Sequence, residues 1–226
     1  MKTFTEADEA YRKAIEAPGR NLSEAFESAN SIAEVNLYSK DITEAILLRL
    51  RSFMWCQEQT KHELGKMYAA PAADFFVESV CFFLKVVLNK LDPSLVVFSE
   101  KSIVRRRGSM RPDISIWREG NVVAAIECKT QLGWNRDGWL AEFENRERKL
   151  FEDFPCAKLF LLVMTGRNWS GFGGDIRVAH QFFVLLNDTW PNEFESSSSE
   201  KLICHPIEGL IAEILSHIKI RKANES

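Results

Sequence analysis

The sequence predicts an α/β fold in which a mixed central β-sheet is flanked by helices and preceded by a helical N-terminal region. Two observations lead to this prediction. Roughly the first 90 residues repeat their apolar side chains at helical spacing, whereas short segments rich in Val and Ile begin at Leu95. Helical and strand patterns then alternate to the end of the chain. We expect residues 1–70 to form a helical extension or subdomain, and residues 71–226 to form the core domain.

Helical periodicity accounts for the whole N-terminal part. The predicted helices span residues 5–17, 22–35, 41–66 and 72–91. In the third helix, Asp41 and Glu44 have the spacing of a capping box, which would bind the free amide groups at the helix start. The fourth helix begins just after Pro71 and ends before Pro93, and its apolar stripe predicts a buried face.

Strands dominate the second part of the chain. The predicted strands span residues 95–105, 113–118, 122–129, 158–164 and 177–186. A helix is predicted over residues 137–154, and its inward-facing side chains are expected to be Leu140, Phe143, Leu150, Phe151 and Phe154. Residues 188–201, which include a run of four serines, are typical of a surface loop. Pro206 opens a last amphipathic helix.

The composition is that of an ordinary folded protein. Of the 226 residues, 46% are hydrophobic and 27% are charged, which excludes a disordered chain. The net charge of −3 gives no support to a protein that coats nucleic acid non-specifically, although a local basic patch remains compatible with it. The five cysteines are widely spaced without a CxxC pair, so we expect free thiols in a reducing cytoplasm. No segment approaches the ~20 apolar residues of a membrane span, and the charged N-terminus lacks the apolar core of a secretion signal.

Two predicted strands surround a short turn and bring charged residues together. Asp113 opens the first strand, and Glu127 and Lys129 close the second. Because side chains alternate along a strand, Glu127 and Lys129 share a face. A three-residue loop at residues 119–121 would pair Asp113 with Glu127, and like charges so placed repel unless a cation lies between them. A two-residue loop would instead put the two acids on opposite faces.

This pattern has two interpretations. A hard cation such as Mg²⁺ takes carboxylate oxygens and bridges to substrate phosphates, and a lysine beside it stabilises negative charge that develops on a phosphate. In the alternative interpretation, Asp113 simply begins a strand, while Glu127 and Lys129 form a solvated strand edge.

Pro112-Asp113, a hairpin-length gap and Glu127-Cys128-Lys129 resemble the signature of the PD-(D/E)XK nuclease superfamily, which has the restriction-endonuclease-like fold. The resemblance covers the motif and the order of elements from about residue 72 to residue 186. It implies a metal-dependent endonuclease that hydrolyses phosphodiester bonds of nucleic acid, with DNA as the substrate and Mg²⁺, or Mn²⁺ in its place, as the cofactor. It also implies that Asp113, Glu127 and the backbone carbonyl of Cys128 bind the metal, and that Lys129 is the catalytic lysine.

The resemblance carries two further expectations. The family often has an acid on the helix before the sheet, and Glu78 is the candidate, although it also fits a plain polar stripe of that helix. Many family members act as dimers, so we expect a homodimer. The QxxxY motif of some nuclease branches is absent from residues 137–154. The rival functions are a catalytically inactive module of the same fold that binds DNA or a protein, and a purely structural protein.

Several basic, polar and aromatic residues are candidates for contact with nucleic acid. They are Arg105, Arg106, Arg107, Arg111, Gln131, Arg167 and Trp169. Arginine forks suit phosphate oxygens, and aromatic rings stack on bases. The four arginines before Asp113 also fit a solvated basic turn. The glycine-rich loop at 165–175, which contains the last two candidates, also fits an ordinary connection with buried aromatics.

Overall fold

The computed structural model describes residues 3–132, 138–169 and 171–224. Contacts divide the chain into two compact units, Met1–Val35 and Asn36–Ser226. We predicted a boundary near residue 70. In the structure, the helix over residues 41–64 packs with the elements of the second unit.

The first unit consists of α1 (Phe4–Ala7) and α2 (Glu9–Ser31). Neither helix buries a residue. Two helices with a break between residues 17 and 22 were predicted, and this was wrong, because α2 runs through Pro18. A proline inside a helix removes one main-chain hydrogen bond, which here does not end the helix.

In its described part, the second unit contains five α-helices, two 3₁₀ helices (Pro191–Glu193 and Ser196–Ser198) and five strands. The α-helices are α3 (Asp41–Leu64), α4 (Ala73–Leu91), α5 (Trp139–Asp153), α6 (Ser199–Leu202) and α7 (Ile207–Asn224). The strands are β1 (Leu95–Ser99), β2 (Ile114–Arg118), β3 (Asn121–Lys129), β4 (Lys158–Thr165) and β5 (Phe182–Leu186). They form one sheet in the order β1-β2-β3-β4-β5. β1, β2 and β3 are antiparallel neighbours, whereas β3, β4 and β5 run parallel, so the sheet is mixed.

Helices cover both faces of this sheet. Phe182 of β5 packs edge-on against Phe143 of α5, whereas the next residue, Phe183, faces Gly209 of α7. Successive side chains of a strand point to opposite faces, so α5 and α7 lie on opposite sides of the sheet. The predicted α/β class, with a mixed sheet, flanking helices and a helical N-terminal region, is confirmed. In the described parts of the chain, we find no helix that is both long and apolar enough to cross a membrane.

The turn between β2 and β3 is shorter than predicted. Arg118 pairs with Asn121, which leaves only Glu119 and Gly120 in the turn. These two residues have φ values of 51° and 82°, as the tight two-residue turns of β-hairpins require. The three-residue loop was therefore wrong.

A β-bulge next to this turn shifts the register by one residue. Trp117 pairs with Val122 and Ile116 pairs with Ala124, so that Val123 has no partner in β2. Beyond the bulge, the pairing reaches the register predicted for the far end of the hairpin. The extra residue thus offsets the shorter turn.

Three predicted segments end or begin elsewhere in the structure. The strand predicted over residues 95–105 stops at Ser99, because Glu100 adopts a φ of 49° that leaves the extended conformation. The strand predicted over residues 177–186 starts only at Phe182, after a turn in which Ala179 has a φ of 62°. The predicted surface loop at 188–201 contains short helical segments and the fully buried Phe194.

The helix predicted over residues 137–154 is present as α5, and residue 137 lies outside the described residues. Phe143 and Leu150 are buried as predicted, and Leu140 and Phe154 are half-buried. Phe151 was expected to point inward, but it is 59% exposed.

The start of α3 is stabilised from another helix and not by a capping box. Asp41 is already the first helical residue, and no side chain of the preceding residue caps the helix. The amides of Ile42 and Thr43 instead donate to the carboxylate of Glu208 on α7, at 2.7 and 3.2 Å. In return, the hydroxyl of Thr43 accepts from the amide of Ile207 at 2.8 Å. The two helix starts therefore bind each other.

Candidate active site

The hairpin of β2 and β3 brings two acids to one end of the sheet. Ile114 pairs with Ile126, so the next step along the hairpin places Asp113 beside Glu127. Asp113 lies just before β2, and Lys129 is the last residue of β3. Because Lys129 is two residues beyond Glu127, both side chains share one face of β3.

The main chain of Cys128 lies against Asp113. Its amide donates to Asp113 Oδ2 at 2.7 Å. In an extended strand, the N–H and C=O groups of one residue point to the same side, so the Cys128 carbonyl faces the same side of β3 as Asp113. Burial, followed by the charges of Asp113 and Glu127, raises the pKa of the Cys128 thiol. This residue therefore offers its carbonyl oxygen and not a thiolate.

Glu127 is a buried acid whose charge is opposed by its surroundings. Only 3% of the residue is exposed. Burial raises the pKa of Glu127 to about 7, and the charge of Asp113 adds to the increase. The positive charges of Arg146 and Lys129 act in the other direction. A cation that contacts both acids would favour the ionised form of this carboxyl.

Arg146 of α5 is the direct partner of Glu127. Its Nη2 atom donates to Glu127 Oε1 at 2.6 Å and to the main-chain oxygen of Arg111 at 3.0 Å. The sequence offered a signal for this residue that we did not use. Arg146 lies three residues after the buried Phe143 and four before the buried Leu150, within the apolar stripe of the helix. A charged residue in such a stripe usually has a buried partner.

A cleft of about 200 Å³ opens beside these groups. Its lining includes Glu127, Lys129, Gln131, Trp139, Phe143 and Arg146. Gln131 and Lys129 thus line the same cleft, although β3 ends at Lys129 and does not continue to Gln131. The Oε1 atom of Gln131 is buried and has no hydrogen-bond partner among the described residues.

The structure does not group Glu78 with the two acids. Glu78 is exposed on α4. Among residues 3–132, 138–169 and 171–224, no three or more His, Cys, Asp or Glu side chains are arranged to hold a metal ion. Of the carboxylates in the described residues, a cation here would therefore have those of Asp113 and Glu127.

The four candidate arginines lie in the segment that leads into Asp113. Arg105, Arg106, Arg107 and Arg111 are all exposed. Arg106 forms an ion pair with Asp153 at 2.9 Å. The backbone oxygen of Arg111 accepts from Arg146, as described above, which attaches this segment to the site.

Arg167 and Trp169 both contact other side chains of the protein. Arg167 forms an ion pair with Glu193 at 2.7 Å. The indole of Trp169 packs edge-on against Trp139 and Phe172, with ring centroids 6.3 and 4.6 Å apart. The contacts of Trp169 match the alternative interpretation of this loop, a connection with buried aromatic side chains.

The donor set at this end of the sheet suits a hard divalent cation. Two carboxylates and a main-chain carbonyl supply oxygen atoms, and Mg²⁺ usually takes one or two carboxylates with water and substrate phosphate as its other ligands. The residues present therefore fit the metal that the motif implies.

Comparisons with known proteins identify no family. No protein-family model and no curated protein matches the chain. Among solved structures, the chain is similar to one described as the native BbvCI A2B2 tetramer at low resolution. The two share 14% sequence identity with a TM-score of 0.44, over 97% of this chain and 92% of that chain. The function is therefore inferred from the site itself.

Proposed function

We propose that the protein is a Mg²⁺-dependent nuclease of the PD-(D/E)XK type that hydrolyses phosphodiester bonds in DNA. The observation that supports this most strongly is the pairing of Asp113 with Glu127, with Lys129 on the same face as Glu127 and at the edge of a cleft. Two acids so close together at the end of a largely buried strand do not stabilise the fold, because their charges repel each other.

The residues of the site have separate roles in this proposal. Asp113, Glu127 and the Cys128 carbonyl would hold the metal, which would polarise a phosphoryl oxygen and acidify a bound water. Lys129 would place its ammonium group against the phosphate and stabilise the negative charge that develops there. The Cys128 amide fixes the Asp113 carboxylate for this task.

The residues that would contact the substrate lie near the same end of the sheet. The exposed arginines in the segment before Asp113, Arg105, Arg107 and Arg111, are suited to bind the phosphates on either side of the cleaved bond. Gln131 would contact the substrate from within the cleft. A homodimer would provide one such site for each strand of a duplex, and a monomeric mass by light scattering would contradict this part of the proposal.

A cleavage assay with isosteric variants tests the proposal. Supercoiled plasmid, linear duplex and single-stranded DNA are incubated with the protein in Mg²⁺, Mn²⁺ or EDTA. Asp113→Asn, Glu127→Gln and Lys129→Met are compared with Lys149→Met, which removes an exposed lysine from α5. Since each site variant removes a charge that acts in the transition state, we expect each to lose at least about 100-fold in rate. The Lys149 variant should cleave at the wild-type rate.

The outcomes separate the nuclease from its rivals. Metal-dependent cleavage that all three site variants lose supports the nuclease. Binding of DNA without cleavage on any substrate, in either metal, supports the inactive binding module. Cleavage that persists in all three site variants contradicts the site.

A further inference from the structure

We propose that Arg146 is the internal counter-cation of this site. It joins Glu127 to the chain before Asp113 in the metal-free protein, and its positive charge weakens the binding of a divalent cation. The inference rests on the proposed function, because it concerns the same two acids. Arg146 is a positioning residue in this account, since it acts through Glu127 and the chain before Asp113.

One nitrogen of Arg146 connects β3 to the segment that leads into β2. Nη2 donates to Glu127 Oε1 at 2.6 Å and to the Arg111 main-chain oxygen at 3.0 Å. Arg111 is two residues before Asp113, and Glu127 is near the end of β3. The guanidinium therefore contacts one of the two acids directly and the chain two residues before the other.

The burial of these groups shows why such a cation is needed. Glu127 is almost completely buried, and a buried charge without a partner strongly destabilises a folded protein. The Arg146 side chain is only 28% exposed, and its buried Nε has no hydrogen-bond partner within the described part of the chain. Leaving a buried N–H group unpaired is unfavourable. The guanidinium therefore occupies this position at a cost, which its ion pair with Glu127 offsets.

A metal ion changes this balance of charge. A divalent cation beside Glu127 is repelled by the guanidinium at hydrogen-bond distance from the same carboxylate. Removing the charge of Arg146 should therefore weaken the metal-free fold and strengthen metal binding. A lysine at this position keeps the charge, so it should preserve both the stability of the metal-free fold and the metal affinity of wild type.

The test compares thermal unfolding and metal binding in four proteins. Wild type, Arg146→Gln, Arg146→Lys and Arg148→Gln are unfolded in EDTA and in Mg²⁺, and Mn²⁺ affinity is measured by calorimetry. Arg148 lies on the same helix with an exposed side chain and is the matched control. In EDTA, we expect Arg146→Gln to have a lower Tm than wild type. Mg²⁺ should raise the Tm of this variant by more than it raises that of wild type, and the variant should bind Mn²⁺ about five- to tenfold more tightly. The lysine and Arg148 variants should respond to metal as wild type does.

The results distinguish this inference from the proposed function. A wild-type protein that binds neither metal contradicts both. A wild type that binds metal, with an equal or smaller metal response in Arg146→Gln, overturns the counter-cation alone. If Arg146→Gln fails to fold in any condition, the double variant Glu127→Gln/Arg146→Gln decides. Recovery of folding in EDTA supports the inference, and continued failure to fold overturns it.

Discussion

Val123 shows how far one residue controls the candidate site. If Val123 paired with Ile116 instead of forming a bulge, the two-residue turn at Glu119 and Gly120 would place Asp113 opposite Ile126 and Glu127 on the other face. The sequence motif predicted Asp113, Glu127 and Lys129 as one group, but through a three-residue loop that the structure does not have. The bulge was not predictable, because it depends on how the twisted hairpin accommodates the turn.

Arg146 was missed for a related reason. Its partner is 19 residues away and comes into contact only when α5 packs on the sheet. Motif spacing along one hairpin has no information about a helix that follows it. The charged residue within the apolar stripe was the available signal, and it indicates a buried partner without naming it.

His205 gives the fold a pH dependence that is separate from the site. Its Nδ1 accepts a hydrogen bond from the amide of Val184 at 3.1 Å, and only a neutral ring can accept this hydrogen bond. Burial lowers the pKa of His205 below its usual value of 6.5. The folded protein therefore binds fewer protons here than the unfolded chain does, so this stabilisation is present above about pH 6.5 and is lost as the pH falls below that value.

Urea unfolding between about pH 5 and pH 7.5 tests this prediction for wild type and His205→Gln. We expect the free energy of unfolding of wild type to decrease more steeply with falling pH than that of the variant. The exposed His62→Gln serves as the control and should follow wild type. Parallel curves for wild type and His205→Gln would show that His205 is not responsible.

At the scale of elements, helices were predicted better than strand ends. The apolar stripes of α3, α4 and α7 are periodic over several turns, and periodicity of that length is a strong signal. The strands over 95–105 and 177–186 were predicted too long, because Val and Ile content does not show where a backbone turns at Glu100 or Ala179. Those turns depend on the contacts that the surrounding loops make.

Glu208 connects two of these elements, α3 and α7, through buried hydrogen bonds. Glu208, the second residue of α7, is 1% exposed, and its carboxylate accepts the amides of Ile42 and Thr43 in the first turn of α3. A negative charge at a helix start is favourable, and charge-assisted hydrogen bonds are stronger than neutral ones. We expect Glu208→Ala to lower the free energy of unfolding by about 3 kcal/mol or more.

Chemical denaturation measures this effect directly. Glu200→Ala, which removes an exposed acid from α6, is the control and should change the free energy of unfolding by no more than about 0.5 kcal/mol. An equally small change for Glu208→Ala would contradict the role of its carboxylate in stabilising the start of α3.

At the scale of the whole molecule, the two compact units differ in how they use apolar residues. The unit from Asn36 onward contains the sheet, the candidate site and an extensive buried core. The helices α1 and α2 bury no residue. The sequence predicted the α/β class and a helical beginning, but it did not predict the strand order, which depends on long-range pairing.

This difference predicts that residues 36–226 fold without the N-terminal unit. Because α1 and α2 add no buried residue, removal of residues 1–35 should change Tm by less than about 3 °C. Calorimetry of the truncated and full-length proteins provides the comparison. Loss of cooperative unfolding after truncation would show that the first unit is required for the fold.

The most direct test of the central claim is to locate the metal. Crystals of the wild type and of Asp113→Asn are soaked in Mn²⁺, and anomalous scattering is measured at the manganese edge. The account predicts, in the wild type, a peak within about 2.0–2.6 Å of carboxylate oxygens of both Asp113 and Glu127, and its loss or marked weakening in the variant. A peak elsewhere, or none at saturating Mn²⁺, would contradict the assignment of these two acids as the metal site of a nuclease.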